Sequence, residues 1–118
     1  ETSCTQPCLK QNYYLKDRMD IHFPLYMDVN CRMHVFNSKT LNLYKRLEEC
    51  LKTGADILRI EAREQDAGWI SEVTAVYRKA IDEYNRTGAF ESNEADLELL
   101  DDLAPEGSTY GHYFRGVL

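Results

Sequence analysis

No apolar run in the 118 residues approaches the ~18 that a membrane span needs, and no basic-then-apolar leader precedes a cleavage site. A membrane-spanning helix and a secretory leader are therefore not expected. Cysteine is scarce: four residues, far below the ~8–10% of a short disulfide scaffold, so a reducing, cytoplasmic setting is the default. Glu1-Thr2-Ser3-Cys4 contains no Met, and the chain reads as a segment of something longer. No Gly-x-Ser-x-Gly elbow, His-Glu-x-x-His zinc helix, P-loop or Gly-x-Gly-x-x-Gly is present. A basic excess is missing too. Lys and Arg number 14 against 20 Asp and Glu, a net charge of −6, which argues against a general nucleic-acid binder but leaves room for a local basic site.

What is there fits an ordinary globular chain, with 43% hydrophobic and 29% charged residues. At this length about two-thirds of the unfolded surface can be buried, enough for one modest core. The negative charge is uneven. Glu91, Glu94, Asp96, Glu98, Asp101, Asp102 and Glu106 fall in one stretch without Lys or Arg; removing those seven from the 20 acids leaves 13 against 14 bases. That stretch, dotted with Leu97, Leu99, Leu100 and Leu103, reads as a solvated surface segment or as a short docking helix.

Tyr13–Lys16 and Phe23–Met27 flank Asp17-Arg18-Met19-Asp20 and predict a β-hairpin, with Pro24 suiting an edge strand. Cys31–Phe36 alternates as a strand does, and Asn37-Ser38 offers caps for a following helix. Leu41, Tyr44, Leu47, Cys50 and Leu51 recur at helical spacing up to a stop at Gly54, which predicts a helix over 41–53 with Cys50 as a buried thiol. Ala55–Arg63, containing Ile57 and Ile60, reads as a second, well buried strand. Asp66 then caps a helix over 67–87, whose stripe Trp69, Ile70, Val73, Val76, Tyr77, Ala80, Ile81 and Tyr84 is the strongest period in the chain; Gly88 ends it.

Strand, helix, strand, helix is the grammar of a parallel sheet covered by helices. The expected fold class is α/β, a β-hairpin followed by two βα units, as a fragment of a larger, TIM-barrel-like fold. The expected divisions are a cysteine-containing lead-in and hairpin (1–30), two βα units (31–88), and an acidic segment with a Gly-His-Tyr-Phe-Arg-Gly tail (89–118), all within one larger domain. Exposed sheet edges in such a fragment predict self-association when it is isolated.

Several residue groups could carry chemistry. Cys4 and Cys8, in Cys-Thr-Gln-Pro-Cys, can present two thiolates to a soft metal or an iron–sulfur cluster if other ligands join them, Cys31 being a candidate third; two incidental cysteines is the competing reading. Glu61 and Arg63, two apart at a strand end, share a face. A right-handed parallel crossover would bring Asn37 and this pair to one carboxyl edge, and a returning tail would add His112 and Arg115. Glu61, Arg63 and His112 are then the candidate catalytic groups, with Arg32, Asn37 and Arg115 binding an anionic or polar substrate. The alternative is an exposed Glu61–Arg63 ion pair with no other role. Arg32 and His34 are expected to share a face of the first strand. The aromatics of Tyr110-Gly111-His112-Tyr113-Phe114-Arg115-Gly116 could stack on a ring or a base, or simply anchor the chain end.

Cys4-Thr5-Gln6-Pro7-Cys8, Phe23-Pro24-Leu25 followed by Cys31-Arg32, Asn37-Ser38-Lys39, Leu58–Arg63 and Gly111–Val117 occur in this order. Together they resemble the collagenase-like peptidase family U-32, over nearly the whole chain. The family is named for a collagen-degrading activity whose catalytic residues are unassigned. Several relatives instead hold an iron–sulfur cluster through four cysteines and assist hydroxylation of transfer or ribosomal RNA or of ubiquinone precursors. The resemblance implies that Cys4, with Cys8 or a later cysteine such as Cys31, supplies part of such a ligand set. Where some cluster-bearing relatives have a further cysteine, this chain has Leu41-Asn42-Leu43. Three readings follow: a segment of a U-32 peptidase, a segment of an iron–sulfur hydroxylation factor acting on RNA or a quinone precursor, or a non-catalytic segment that binds a protein. The partners implied are the rest of its own polypeptide and a protein or RNA substrate, with no membrane.

Overall fold

The structure, a computed structural model, describes residues 4–114. It is a mixed α/β chain that divides into two compact units, 1–40 and 41–118.

The first unit is a three-stranded antiparallel sheet, β1 (Tyr13–Lys16), β2 (His22–Met27) and β3 (Met33–Val35), in that order. Two turns of the same design connect it. In the first, Asp17 Oδ1 accepts from the amides of Met19 (2.8 Å) and Ile21 (2.9 Å), and Asp20 takes a left-handed φ of 64°. In the second, Asp28 Oδ1 accepts from Asn30 (2.8 Å) and Arg32 (2.9 Å), and Cys31 sits at φ 60°. A short acceptor at the first turn position fixes the bend, and a left-handed residue returns the chain to its ladder. The register pairs Tyr13 with Leu25 and Leu25 with Val35, so one face carries Tyr13, Leu15, Phe23, Leu25, Met27, Met33 and Val35. None of the described residues up to Thr40 is buried.

The hairpin matches the sequence expectation, but three others change here. Pro24 lies in the central strand, not on an edge. Its carbonyl accepts from Phe36 at 2.9 Å, so its missing N–H faces the position just past β3, where the ladder has already ended. The 31–36 strand is the third strand of an antiparallel sheet rather than the opening of a parallel βα unit. Arg32 precedes that strand, with its amide in the Asp28 turn, so it does not share a strand face with His34.

The second unit begins where β4 (Thr40–Leu41) pairs with β5 (Ser108–Thr109). A 3-10 turn at Tyr44–Arg46 leads into the short α1 (Leu47–Lys52). The expected 41–53 helix is therefore confined to its C-terminal half, and the cap comes from neither Asn37 nor Ser38. Asn42 Oδ1 accepts from the Tyr44 amide at 3.0 Å and starts the turn itself. Gly54 at φ 78° ends the helix as anticipated.

Residues 55–63 form no strand. Ile57 is 84% exposed, and Leu58 and Ile60 are exposed as well. A strand needs a neighbouring ladder as well as an apolar pattern, and the described residues supply none to this segment. The 31–36 strand is antiparallel to its neighbour β2, and 55–63 pairs with nothing among the described residues, so strand ends do not define a carboxyl edge shared by Asn37 and Glu61.

Long α2 (Ala67–Thr87) and shorter α3 (Glu94–Asp102) complete the unit. Asp66 Oδ1 caps α2 through the Trp69 amide at 2.9 Å, and Gly88 closes it at φ 77°. The core gathers Tyr44, Leu47, Val73, Val76, Ala80, Phe90 and Leu100, with Leu97, Leu99 and Leu103 packed against it. The leucines of the acidic stretch thus face this chain's own core, which removes the apolar face a docking helix would offer. Trp69 Nε1 donates to the Leu103 carbonyl at 3.1 Å and ties α2 to the end of α3.

Candidate functional site

Three places carry the candidate residues. The first is the cysteine-bearing turn. Gln6 adopts φ 51°, and a 3-10 turn at Pro7–Leu9 follows, so Cys4 and Cys8 flank a sharp bend. The Gln6 amide donates towards Cys4 Sγ, 3.4 Å away. Cys4 and Cys31 are exposed, and Cys8 is half-buried beside a shallow hollow with Pro7, Tyr13, Tyr14, Leu25 and Met27. These thiols suit an iron–sulfur cluster in donor type. In number they do not close a site: among the described residues no three His, Cys, Asp or Glu side chains are gathered closely enough to hold a metal. Cys50, expected to be buried, is half-buried; burial, aided by Glu49, pushes its thiol up in pKa.

The second place is the exposed 55–63 segment. Glu61 accepts from Arg63 Nε at 2.7 Å and from Arg59 Nη2 at 2.6 Å. Arg63, with Arg59 helping, holds the Glu61 carboxyl below its ordinary pKa. All three side chains are at least half exposed, so the interaction adds little to stability. The sequence pairing of Glu61 with Arg63 is present; Arg59 is the partner it missed. Asn37 is exposed in the first unit, and His112 is exposed in the turn after β5. Arg115 lies outside the described residues, as does the end of the Gly111–Val117 motif.

The third place, missed at the sequence level, surrounds Tyr44. Its ring is fully buried and its hydroxyl donates to Asp96 Oδ2 at 2.8 Å, while Lys79 Nζ reaches the same carboxylate at 2.6 Å. Burial, with the Asp96 hydrogen bond, pushes the Tyr44 pKa up to about 12. Asp96 feels burial as an upward push, but Lys79 and Tyr44 outweigh it and the net shift is downward. One available signal was the spacing Asn93-x-x-Asp96 before an apolar run: Asn93 Oδ1 caps the Asp96 amide at 3.2 Å. Nearby, Tyr77 donates to Asn42 Oδ1 at 3.1 Å and accepts from the Leu43 amide at 3.2 Å.

From this frame a cleft of about 210 Å³ opens between Asn42, Lys45, Leu97, Asp101, Ser108, Thr109 and Tyr110. Ser108 Oγ and Asp101 Oδ1 are 3.3 Å apart. Tyr110 packs edge-on to Phe114 with centroids 5.7 Å apart, and the Arg46 guanidinium lies 4.4 Å from the Phe114 ring centre. Gly111, at φ 59°, lets the tail turn tightly; a Cβ there would stand 3.2 Å from Leu41 Cδ1.

Cysteines on a bent lead-in, a mixed-charge cleft and a glycine-turned aromatic tail now have a family to set them in. The chain belongs to Peptidase family U32, which matches residues 1–117. It is 30% identical to the tRNA hydroxylation protein P of Helicobacter pylori over 96% of this chain and 27% of that protein. It is 35% identical to the tRNA hydroxylation protein P of Escherichia coli over 70% of this chain and 18% of that protein. The chain thus spans about a quarter or less of the length of these curated relatives. No solved structure matches it. No helix among the described residues is long and apolar enough to cross a membrane.

Proposed function

We propose that this chain is the cysteine-bearing part of a U32 protein that assists hydroxylation of tRNA. The observation that carries the reading is the likeness to the Helicobacter pylori tRNA hydroxylation protein P across 96% of the chain. Cys4 and Cys8 would supply thiolates to an iron–sulfur cluster, with Cys31 a third, and such a cluster supplies electron transfer when bound. Glu61, kept ionised beside Arg63 and Arg59, presents a carboxylate, Arg63 can bind an anion, and His112 is of the type that can move a proton. Arg32, Asn37 and Arg115 remain the substrate-binding residues of this reading. The family's description as peptidases supports a second reading, hydrolysis of a protein.

The test is a chimera in which this chain replaces its matching region in the Escherichia coli relative, expressed in cells lacking that protein. Hydroxylated nucleosides in total tRNA should return, measured by mass spectrometry, and Cys4→Ser should abolish both them and the bound iron. Retained iron and hydroxylation in Cys4→Ser would remove Cys4 from the site. A chimera that cleaves gelatin and restores no hydroxylation would establish the second reading instead.

A further inference from the structure

A local concentration of basic and aromatic side chains adjoins the cleft of the second unit. Lys45 and Tyr110 line the cleft, Tyr110 packs on Phe114, and Arg46 covers Phe114, so cleft and stack are continuous. Lys45 is exposed and makes no ion pair among the described residues. Arg46 is held on one edge by Glu49, its Nε 2.8 Å from the carboxylate, and on its face by Phe114, so its position is set in advance. Tyr110 is 41% and Phe114 40% exposed, leaving ring surface open to a ligand.

The cleft has a direction. Lys45 and Arg46 attract an anion, whereas Asp101 repels one and accepts hydrogen bonds from ring N–H or amino groups. The hydroxyls of Ser108 and Thr109 add short-range polar contacts. Its volume, about 210 Å³, falls below the roughly 300–1,000 Å³ of drug-sized sites. A nucleotide matches this pattern: a flat base with hydrogen-bonding edges, joined through its sugar to a phosphate. A paired base would have neither its face nor its edge free, so the ligand must be unpaired.

We infer that the cleft lined by Lys45, Asp101, Ser108, Thr109 and Tyr110, with the adjoining Arg46–Phe114 stack, binds an unpaired nucleotide of single-stranded RNA. The choice of RNA over other nucleic acid rests on the tRNA reading above; the site itself rests on the geometry.

The test is fluorescence anisotropy of a labelled ten-nucleotide single-stranded RNA with the complete 118-residue chain at low salt. The same sequence as duplex RNA and as single-stranded DNA forms the other arms. Single-stranded RNA should bind best, and binding should weaken steeply with salt. Tyr110→Ala should lower affinity about tenfold through lost stacking. Lys45→Gln should weaken binding and reduce the salt slope by roughly one phosphate contact. Arg86→Gln, an exposed cation on α2 away from the cleft, should bind as the parent does. Each variant is checked by thermal unfolding, with Tyr110→Phe as a ring-preserving variant that should keep its affinity. The inference is overturned if the parent chain does not bind, if duplex binds as well as single strand, or if Arg86→Gln loses as much as Lys45→Gln. Single-stranded DNA binding as well as RNA would overturn the RNA assignment. Binding unaffected in Cys4→Ser would support the site even where the chimera's hydroxylation assay fails, so the two readings fail separately.

Discussion

The two units of this chain are held by different physics. Residues 4–40 bury no side chain, and their shape comes from backbone ladders and two aspartate turns. The second unit has a core in which Tyr44 and Leu47 are almost fully buried, with a buried carboxylate satisfied from two sides. In the first, local chemistry sets geometry with little hydrophobic gain to reinforce it. In the second, apolar burial supplies the driving force, and the hydrogen bonds at Asp96 and Asn42 specify how the helices meet. The difference bears on function. Cys4 and Cys31 are exposed on the lead-in and a turn of a unit without a buried core, whereas the cleft of the second unit rests on a packed frame.

The sharpest way to break the contrast is in the core. Tyr44→Ala should cost about 3–5 kcal/mol, as large-to-small changes of buried aromatics do, and should collapse the second unit. Hydrogen exchange should then rise throughout α2 and α3 while the amides of β1 and β2 keep their parent rates. Equal loss in both units would show that they fold as one.

A smaller effect is expected at Asp96. Its carboxyl pKa is lowered in the fold, so the stabilisation from Lys79 and Tyr44 is fully present above its unfolded value near pH ~4. It is lost as the pH falls through the lowered folded value. Asp96→Asn should cost about 1–2 kcal/mol at neutral pH, and the gap from the parent should shrink in acid. A urea-melt difference that stays constant from pH 7 to pH 3 would show that the carboxylate charge contributes nothing.

The smallest effect belongs to the sheet. Asp28→Ala removes the side-chain acceptor of two backbone amides on an exposed turn and should cost about 1 kcal/mol. Exchange of the Asn30 and Arg32 amides should quicken, with the second unit's unfolding midpoint unchanged. No change at those amides would mean that the Cys31 bend is held by something other than Asp28.

How much of this could be read beforehand varies by element. Helix α2 was legible end to end, because Asp66, the apolar stripe and Gly88 all act within a few residues of each other. The 13–27 hairpin was legible for the same reason. The role of Cys31–Phe36 was not: an alternating strand looks the same whether its neighbour is parallel or antiparallel. Ala55–Arg63 has the composition of a strand, yet composition cannot provide the second strand that would make it one. Of the candidate site, the Glu61–Arg63 contact and the thiols of the bent Cys-Thr-Gln-Pro-Cys turn were visible as local spacings. The Lys45–Tyr110 cleft was not, since its residues, from Asn42 to Tyr110, lie up to 68 positions apart and meet only because β4 pairs with β5.

The sequence by itself determined the capped helix, the Asp17 turn and the U32 motifs, all of which depend on neighbours within a few residues. Tertiary structure alone decided that Pro24 could sit in a central strand, that an acidic segment would bury Asp96 beneath Tyr44 and Lys79, and that its leucines would turn inward. Each of those outcomes depends on a partner distant in the chain, whose position no local periodicity encodes.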